Sequence, residues 1–351
     1  MKLIRFVVAW VCAAFLACSV HAAPSPNPGW EAVESALAAN DPVGARRIAE
    51  SLAAAGDPDA INGLAVLVGQ GVGGVRDEAR ANELIERAAN ADSIAAKVNL
   101  ARSLSMGDSK HFPRALGLLQ DAKKDPRFGK ASYYPLGRIL LFGGRGEDDL
   151  KQGVAYMKQA AEFEPRNADA HFLVGRSYQN GWGGSERNPA KAFQSFLAAS
   201  KLGDDRAQRF VGMARLEGIG TAKDPLAALA DFKAAAGQGN VWATLDIGVV
   251  LATGEGVPAK PDEARKWYER AARLGSAHGL RSLGVMIGQG DGGPQDTLTG
   301  RAYIELAAEA GDANARRIGA KLPQHVAAPT RHAIDRIKAD WRSSNRPPKA
   351  G

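Results

Sequence analysis

Residues 241–276, VWATLDIGVVLATGEGVPAKPDEARKWYERAARLGS, contain one complete structural unit of the chain. Trp242, Leu245, Gly248 and Leu251 recur at three-residue steps in the first half of this stretch. Apolar and small residues at such steps are typical of one side of an α-helix. The spacing predicts a first helix with these four residues on one side.

The second half of the same stretch predicts a turn and a second helix. Gly254 is expected to end the first helix, because glycine adopts the left-handed conformation that helix ends often require. Pro261 suits the first position of a helix, where its missing N–H costs nothing. The apolar face of this second helix comprises Ala264, Trp267, Tyr268, Ala271 and Ala272. The unit therefore reads as a helical hairpin.

The hairpin recurs seven times along the chain, as three aligned columns of residues show. The turn glycines are Gly71, Gly107, Gly143, Gly181, Gly218, Gly254 and Gly290. Six residues before each stands a small residue: Ala65, Ala101, Gly137, Gly175, Gly212, Gly248 and Gly284. The second helices share an alanine: Ala88, Ala122, Ala160, Ala199, Ala235, Ala271 and Ala307. A bulky apolar residue precedes each alanine by three or four positions.

The small-residue column predicts a close helix crossing. Glycine in the middle of a helix costs about 1 kcal/mol relative to alanine, so its use at five of the seven positions needs a packing reason. We expect the neighbouring helix to approach there too closely for a side chain. The alanine column is expected to face the glycine, with the bulky residue filling the space beside the contact.

These residues resemble the Sel-1-like repeats, which are related to the tetratricopeptide repeat. The matching positions in the quoted unit are Gly248, Gly254, Gly256, Ala264, Trp267, Tyr268, Ala271, Ala272 and Gly275. The unit at 94–126 departs from the pattern, because it has a shortened loop and lacks the aromatic pair. The resemblance implies an all-α fold, a right-handed α/α solenoid of helical hairpins, used mainly to bind other proteins.

The domain organisation follows from the repeat. We expect a signal peptide at 1–23, an N-terminal helical cap at 24–58, and seven repeats over 59–312. The repeats are predicted at 59–93, 94–128, 129–167, 168–204, 205–240, 241–276 and 277–312. A partial repeat, a capping helix and a basic tail are expected over 313–351. Terminal units of this kind cover a core that would otherwise be exposed.

The first residues predict export. Lys2 and Arg5 precede an uncharged apolar run that is too short to span a bilayer, and small residues near Ala22 and Ala23 suit cleavage. A periplasmic or secreted protein without a membrane span is expected. A retained membrane anchor is one alternative, and a lipoprotein anchored through Cys18 is another. The only other cysteine, Cys12, also lies in this segment, so the mature chain is expected to lack disulfides.

Motifs for chemistry are missing from the sequence. It has no nucleophile elbow, no zinc-protease motif and no phosphate-binding lysine loop. Gly69, Gly71 and Gly74 satisfy the dinucleotide-binding spacing, but they follow a predicted helix where that motif needs a strand. We therefore expect no catalysis, no cofactor, no metal site and no nucleic-acid binding. The formal charge of +7 includes +4 from residues 323–351, with six basic and two acidic side chains.

One position of the first helices predicts a binding surface. The residue after the small column points away from the core at 100° per residue. In a solenoid resembling this family, the first helices line the concave side. The predicted partner-binding residues are Arg102, Arg138, Arg176, Met213, Val249 and Val285, and Val66 holds the same position in the first repeat. Three arginines followed by an apolar stretch suit a partly acidic protein or peptide, and a merely solvated row is the alternative.

The sequence thus favours an exported, non-catalytic scaffold or regulator that binds a protein or peptide through its concave face. One alternative is a lipid-anchored outer-membrane assembly factor for secretion or polysaccharide export. Another is a hydrolase acting on cell-wall material, against which the missing nucleophile motifs count.

Overall fold

The computed structural model describes residues 29–144, 146–323 and 325–345. Across these residues it contains eighteen α-helices, two short 3₁₀ helices and no strand. The predicted all-α solenoid of helical hairpins is confirmed. The chain divides into two compact units, one ending at Asn188 and the other beginning at Pro189. The predicted signal peptide and the last residues of the basic tail lie outside the described residues.

Consecutive helices pair as antiparallel hairpins within each unit. The first unit contains α1 (Trp30–Ala38), α2 (Pro42–Ala54), α3 (Pro58–Gln70), α4 (Glu78–Asn90), α5 (Ile94–Met106), α6 (Phe112–Ala122), α7 (Tyr133–Gly143), α8 (Glu147–Phe163) and α9 (Ala168–Asn180). The second unit contains α10 (Pro189–Lys201), α11 (Asp205–Glu217), α12 (Pro225–Gly237), α13 (Val241–Thr253), α14 (Pro261–Arg273), α15 (Ala277–Gln289), α16 (Thr297–Glu309), α17 (Ala313–Gly319) and α18 (Ala328–Ser344).

Polar caps begin the first helix of most hairpins. The Asn240 side chain accepts a hydrogen bond from the Ala243 amide at 2.9 Å, which satisfies one of the free N–H groups at the start of α13. Equivalent side-chain caps are formed by Asp57, Ser93, Asn167, Asp204, Ser276 and Asp312. Pro261 occupies the first position of α14, as predicted. Local sequence therefore determines where these helices begin.

The turn glycines act as predicted in five of seven units. Five of them adopt the left-handed conformation at the helix end: Gly71, Gly181, Gly218, Gly254 and Gly290. The prediction is wrong for Gly107, which is extended and leads directly into a 3₁₀ turn because the loop there is short. It is also wrong for Gly143, which remains helical. A Cβ on Gly143 would lie 2.3 Å from the Phe112 ring, so this glycine allows a close side-chain approach.

The small-residue column marks a close crossing, but the residue that covers it differs from the prediction. A Cβ built on Gly248 would lie 2.6 Å from the Tyr268 ring, and one on Gly212 would lie 2.7 Å from the Phe232 ring. The bulky column thus lies directly over the glycine, where we had expected the alanine column. Glycine has no side chain, so the space above it is filled only by a long side chain from the neighbouring helix, and alanine is too short to fill it.

A second glycine in the turn joins neighbouring hairpins. Gly220 and Gly292 each have a positive φ near 72°. An added Cβ would lie 2.2 Å from the carbonyl oxygen of Pro189 at the first position, and 2.3 Å from that of Pro261 at the second. Each turn therefore rests on the start of the second helix in the preceding hairpin. Contacts between neighbours of this kind are what hold a repeat protein together.

Additional helices pack on the repeats at both ends. In the first unit the Trp30 ring of α1 covers Gly63 of α3 so closely that a Cβ there would lie 2.0 Å from it. In the second unit α18 packs on α16, with its Ile334 fully buried and the Trp341 and Tyr303 rings 4.9 Å apart. Lys338 adds an ion pair to Glu309 at 2.5 Å.

None of the helices in the described parts of the chain combines the length and the apolar character needed to cross a membrane.

Gly292→Ala and Gly311→Ala test the turn-to-helix contact. Both glycines have a positive φ, but a Cβ on Gly311 meets nothing within 4 Å. Both variants pay the strain of alanine in a left-handed conformation, roughly 1 kcal/mol. We expect Gly292→Ala to cost a further 1–3 kcal/mol or so, because its Cβ collides with backbone. Urea unfolding of the two variants measures the difference. Equal free energies of unfolding would contradict the contact.

Candidate functional site: the first-helix face

Three first helices of the first unit meet in a cluster of buried charges. This Tyr134 cluster consists of Arg102 on α5, Tyr134 and Arg138 on α7, Asp169 on α9, and Glu164 in the loop before α9. The Arg102 guanidinium lies 5.0 Å from the centre of the Tyr134 ring, and that of Arg138 lies 5.9 Å from it. The ring therefore contacts two cations on successive repeats and contributes cation–π attraction to both.

Arg102 forms a two-pronged ion pair with Glu164. Its Nη1 donates to Glu164 Oε2 at 2.9 Å, its Nη2 donates to Oε1, and both side chains are about 10% exposed. The Asn167 amide donates to the same carboxylate at 2.8 Å. Burial by itself would raise the pKa of Glu164, but Arg102 and Asn167 outweigh it and hold the pKa below its ordinary value. Glu164 is therefore an ionised structural partner of Arg102.

Arg138 is held by a second carboxylate. Its Nη1 donates to Asp169 Oδ2 at 2.5 Å, and its Nε donates to the Ser105 carbonyl at 3.2 Å. The Tyr134 hydroxyl donates to the same oxygen of Asp169 at 2.9 Å. Burial raises the pKa of Tyr134, so the hydroxyl stays protonated and remains a donor at neutral pH. These bonds join the first helices of three successive repeats.

The three predicted arginines do not form a row of solvated cations. Arg102 is buried and Arg138 is half-buried, and each is engaged by a carboxylate of the chain itself. Arg176 is also half-buried, and its guanidinium lies 5.2 Å from the Trp182 ring. Val66 is buried in the first repeat. The acidic partners lie one or more repeats away in sequence, which is why the arginine column by itself did not reveal them. A role for these arginines in partner binding stays a prediction.

The predicted apolar positions of the second unit differ in accessibility. Val249 on α13 is 45% exposed. Met213 on α11 and Val285 on α15 are half-buried, and both side chains pack against the hydrophobic core of their unit. Of the three, Val249 therefore offers the most surface to a partner.

Trp242 is the largest exposed residue of this face, although the three-residue steps group it on one side of the helix with Leu245 and Leu251. It is 56% exposed, whereas Leu245 and Leu251 are buried. Three-residue steps fall short of a full helical turn by about 60° each, so two steps place Trp242 about 120° from Gly248. Seven residues make nearly two turns, so Trp242 and Val249 share one face. The seven-residue spacing in the sequence is therefore the signal that groups Trp242 with the predicted surface residue Val249.

The side chains of Arg209 and His278 contact the Trp242 ring. The Arg209 guanidinium lies 5.9 Å from its centre, and the His278 ring lies 5.7 Å from it at an angle of 57°. Arg209 Nε also donates to Asp246 Oδ2 at 2.5 Å. Burial raises the pKa of Asp246, although the bond to Arg209 opposes this shift. The indole is thus positioned between two groups from the neighbouring first helices.

A separate shallow cleft of 270 Å³ lies in the second unit. Its lining combines charged residues at the rim with Leu283, Ile287 and Tyr303. None of the predicted partner-binding residues is among its lining residues. Within the described ranges, no group of three or more histidine, cysteine or acidic side chains is arranged to hold a metal ion.

Glu164→Gln tests the buried ion pair, with Glu86→Gln as its control. Glu86 pairs with Arg114 in a similar geometry, but both side chains are substantially exposed. We expect Glu164→Gln to lower the free energy of unfolding by roughly 2–3 kcal/mol at pH 7, and Glu86→Gln by less than about 1 kcal/mol. Chemical unfolding of both variants and the parent measures this.

The same pair predicts a pH dependence. Because the pKa of Glu164 is lower in the folded chain than its ordinary value of 4.5, its contribution is fully present above that value. The contribution is lost as the pH falls through the folded pKa. The difference between parent and Glu164→Gln should therefore shrink below pH 4.5. A difference that stays constant down to pH 3 or so would show that the carboxylate charge is not what stabilises the cluster.

Comparison with known proteins identifies the repeat. The family pattern described as Sel1 repeat matches residues 58–93, 131–162, 168–204, 205–240, 243–276 and 277–312. The predicted repeat at 94–128 is not among these matches, although α5 and α6 form a hairpin there. None of the curated proteins compared with the chain matches it.

Two solved structures share the fold. One is c5321, described as a protective antigen of uropathogenic Escherichia coli strains displaying an SLR fold, with 20% identity and a TM-score of 0.68. The match covers 86% of this chain, and the chain spans 64% of that protein. The other is a Sel1 repeat protein from Oxalobacter formigenes, with 24% identity, a TM-score of 0.57, and coverage of 69% of this chain and 96% of that one. The chain belongs to the Sel1 repeat family.

Proposed function

We propose that this chain is an exported, non-catalytic scaffold or regulator that binds a protein or peptide through the face of its first helices. The observation that carries the proposal is the pair of large apolar side chains left exposed on one face of α13. Trp242 and Val249 are 56% and 45% exposed and lie two turns apart. Exposed apolar groups that share a face are typical of interaction sites.

The second unit supports this role better than the first. The arginines of the Tyr134 cluster are occupied by Glu164 and Asp169, so a partner would have to replace those carboxylates. At Val249 a partner would displace only water. We therefore place the primary contact on α11, α13 and α15, with Met213 and Val285 at its edges.

The proposed site is tested by photo-crosslinking in the native cell. A photoreactive amino acid replaces Val249 in one variant and Leu226 in the control. Leu226 is more exposed, at 70%, but lies on the second helix α12. We expect discrete protein adducts at position 249 and none of the same mass at 226. Identical adducts at both positions, or none at 249, would contradict the proposed face.

Export and anchoring are tested by the mass of the mature chain. The proposal of signal cleavage near Ala22 or Ala23 expects a mature protein that begins about Ala23 and carries no lipid. A mature chain beginning at a lipidated Cys18 would instead support the lipid-anchored assembly factor. A chain that retains Met1 would contradict both forms of export.

A further inference from the structure

A groove between the second helices α14 and α16 is filled at one end by an aromatic ring of the chain itself. The Trp341 ring of α18 lies 4.9 Å from the Tyr303 ring of α16, and the Arg273 guanidinium of α14 lies 5.7 Å from its centre. Trp341 also packs against the two hydrophobic clusters to which α14 and α16 contribute. This end of the groove therefore accepts an aromatic side chain that is presented by a helix.

The groove continues toward the start of α14 as the cleft of 270 Å³. Four residues of α14 line the cleft and precede Arg273 at steps of three or four residues: Asp262, Arg265, Lys266 and Glu269. Residues at such steps share one face of a helix. Tyr303 lines the cleft and also contacts Trp341, so it belongs to both parts of the groove. From Asp262 to Arg273 the helix extends about 17 Å, and α18 covers only the Arg273 end.

The open part of the groove suits one large side chain. Leu283 and Ile287 of α15 contribute apolar groups to its lining, and Tyr303 contributes an aromatic ring. Clefts that hold drug-sized ligands measure about 300–1,000 Å³, so this one is small for such a molecule. A free aromatic molecule in a shallow cleft would also keep one side in water. A protein segment that inserts one side chain can add contacts outside the cleft.

The charged residues that line the cleft do not favour either sign of charge in a partner. Asp262 and Glu269 are acidic, whereas Arg265 and Lys266 are basic. With two groups of each sign, a strongly acidic or basic partner would meet repulsion as well as attraction. We therefore expect apolar contact inside the cleft to decide what binds there.

We propose that this cleft takes an aromatic side chain from a segment of a partner protein. The inserted ring would contact Tyr303, as Trp341 does in the filled part of the groove. Aromatic pairs gain attraction beyond the apolar area that they bury, which favours a ring over an aliphatic side chain. The cleft does not include Trp242 or Val249, so this inference goes beyond the proposed function.

Selection of a random displayed peptide library on the mature chain, followed by blocking of the cleft, tests this proposal. Cys12 and Cys18 both lie in the predicted signal peptide, so Lys266→Cys introduces the only thiol of the mature chain. Lys266 is exposed in the lining of the cleft, and a bulky maleimide on this thiol would obstruct it. The control is Ala230→Cys with the same label, because Ala230 holds the same repeat position on α12 and is also exposed.

We expect the selected peptides to share an aromatic residue. Changing that residue to alanine should weaken binding about tenfold or more, and a tenfold rise in salt should change binding by less than about twofold. Labelled Lys266→Cys should weaken binding about tenfold or more, whereas the unlabelled variant and labelled Ala230→Cys should bind like the parent. All variants should melt near the parent, because both positions are exposed.

Peptides without a shared aromatic residue, or binding that survives the label at position 266, would overturn the proposal. A dimeric parent that this label makes monomeric would also overturn it, because the occupant would then be a second copy of the chain. N-acetyltryptophanamide that binds as tightly as the selected peptides would assign the cleft to a free small molecule instead.

The same label separates this inference from the proposed function. Crosslinks at Val249 that persist with the label at position 266, without any peptide that the label displaces, would support the first-helix face and refute the cleft. Peptides that the label displaces, without crosslinks at Val249, would support the cleft and refute that face.

Discussion

Neighbouring helices of the repeats approach each other so closely that glycine is required at their contacts. Tyr268 lies over Gly248 and Phe232 over Gly212, at distances that exclude a Cβ. The second glycine of a turn, such as Gly292, packs against the carbonyl group of the first residue of the second helix in the preceding hairpin. In a repeat protein each hairpin contacts only its neighbours. The stability of each unit therefore depends on forming these same few contacts between successive hairpins.

This packing leaves one face of each first helix free to vary, and the two units use it differently. In the first unit the face carries buried ion pairs that tie Arg102 to Glu164 and Arg138 to Asp169. In the second it carries the exposed Trp242, whose ring the Arg209 guanidinium contacts. Desolvating a buried ion pair is costly, and the attraction between its charges offsets this cost only when the two groups are well aligned. Moving either partner in the first unit would therefore be unfavourable. The second leaves apolar surface open to a partner.

Much of the fold followed from short-range patterns, and the failures have identifiable causes. The bounds of α13 and α14 agree with the hairpin that Gly254 and Pro261 predict. Gly107 and Gly143 have the predicted residue type but a different role, because the loop after Gly107 is short and Gly143 leaves room for the Phe112 ring. Trp242 is exposed although three-residue steps group it with buried Leu245, because such steps follow one side of a helix only over about one turn.

The repeat, most helix starts and ends, and the fold class can be predicted from the sequence, because caps, turn glycines and apolar periods act over a few residues. Tertiary structure decided which polar side chains meet. Glu164, near the end of the next repeat, pairs with Arg102, and Asp169 meets Tyr134 and Arg138 from the following first helix. These pairings depend on how hairpins stack, and no local pattern encodes the distance between side chains that lie a repeat or more apart.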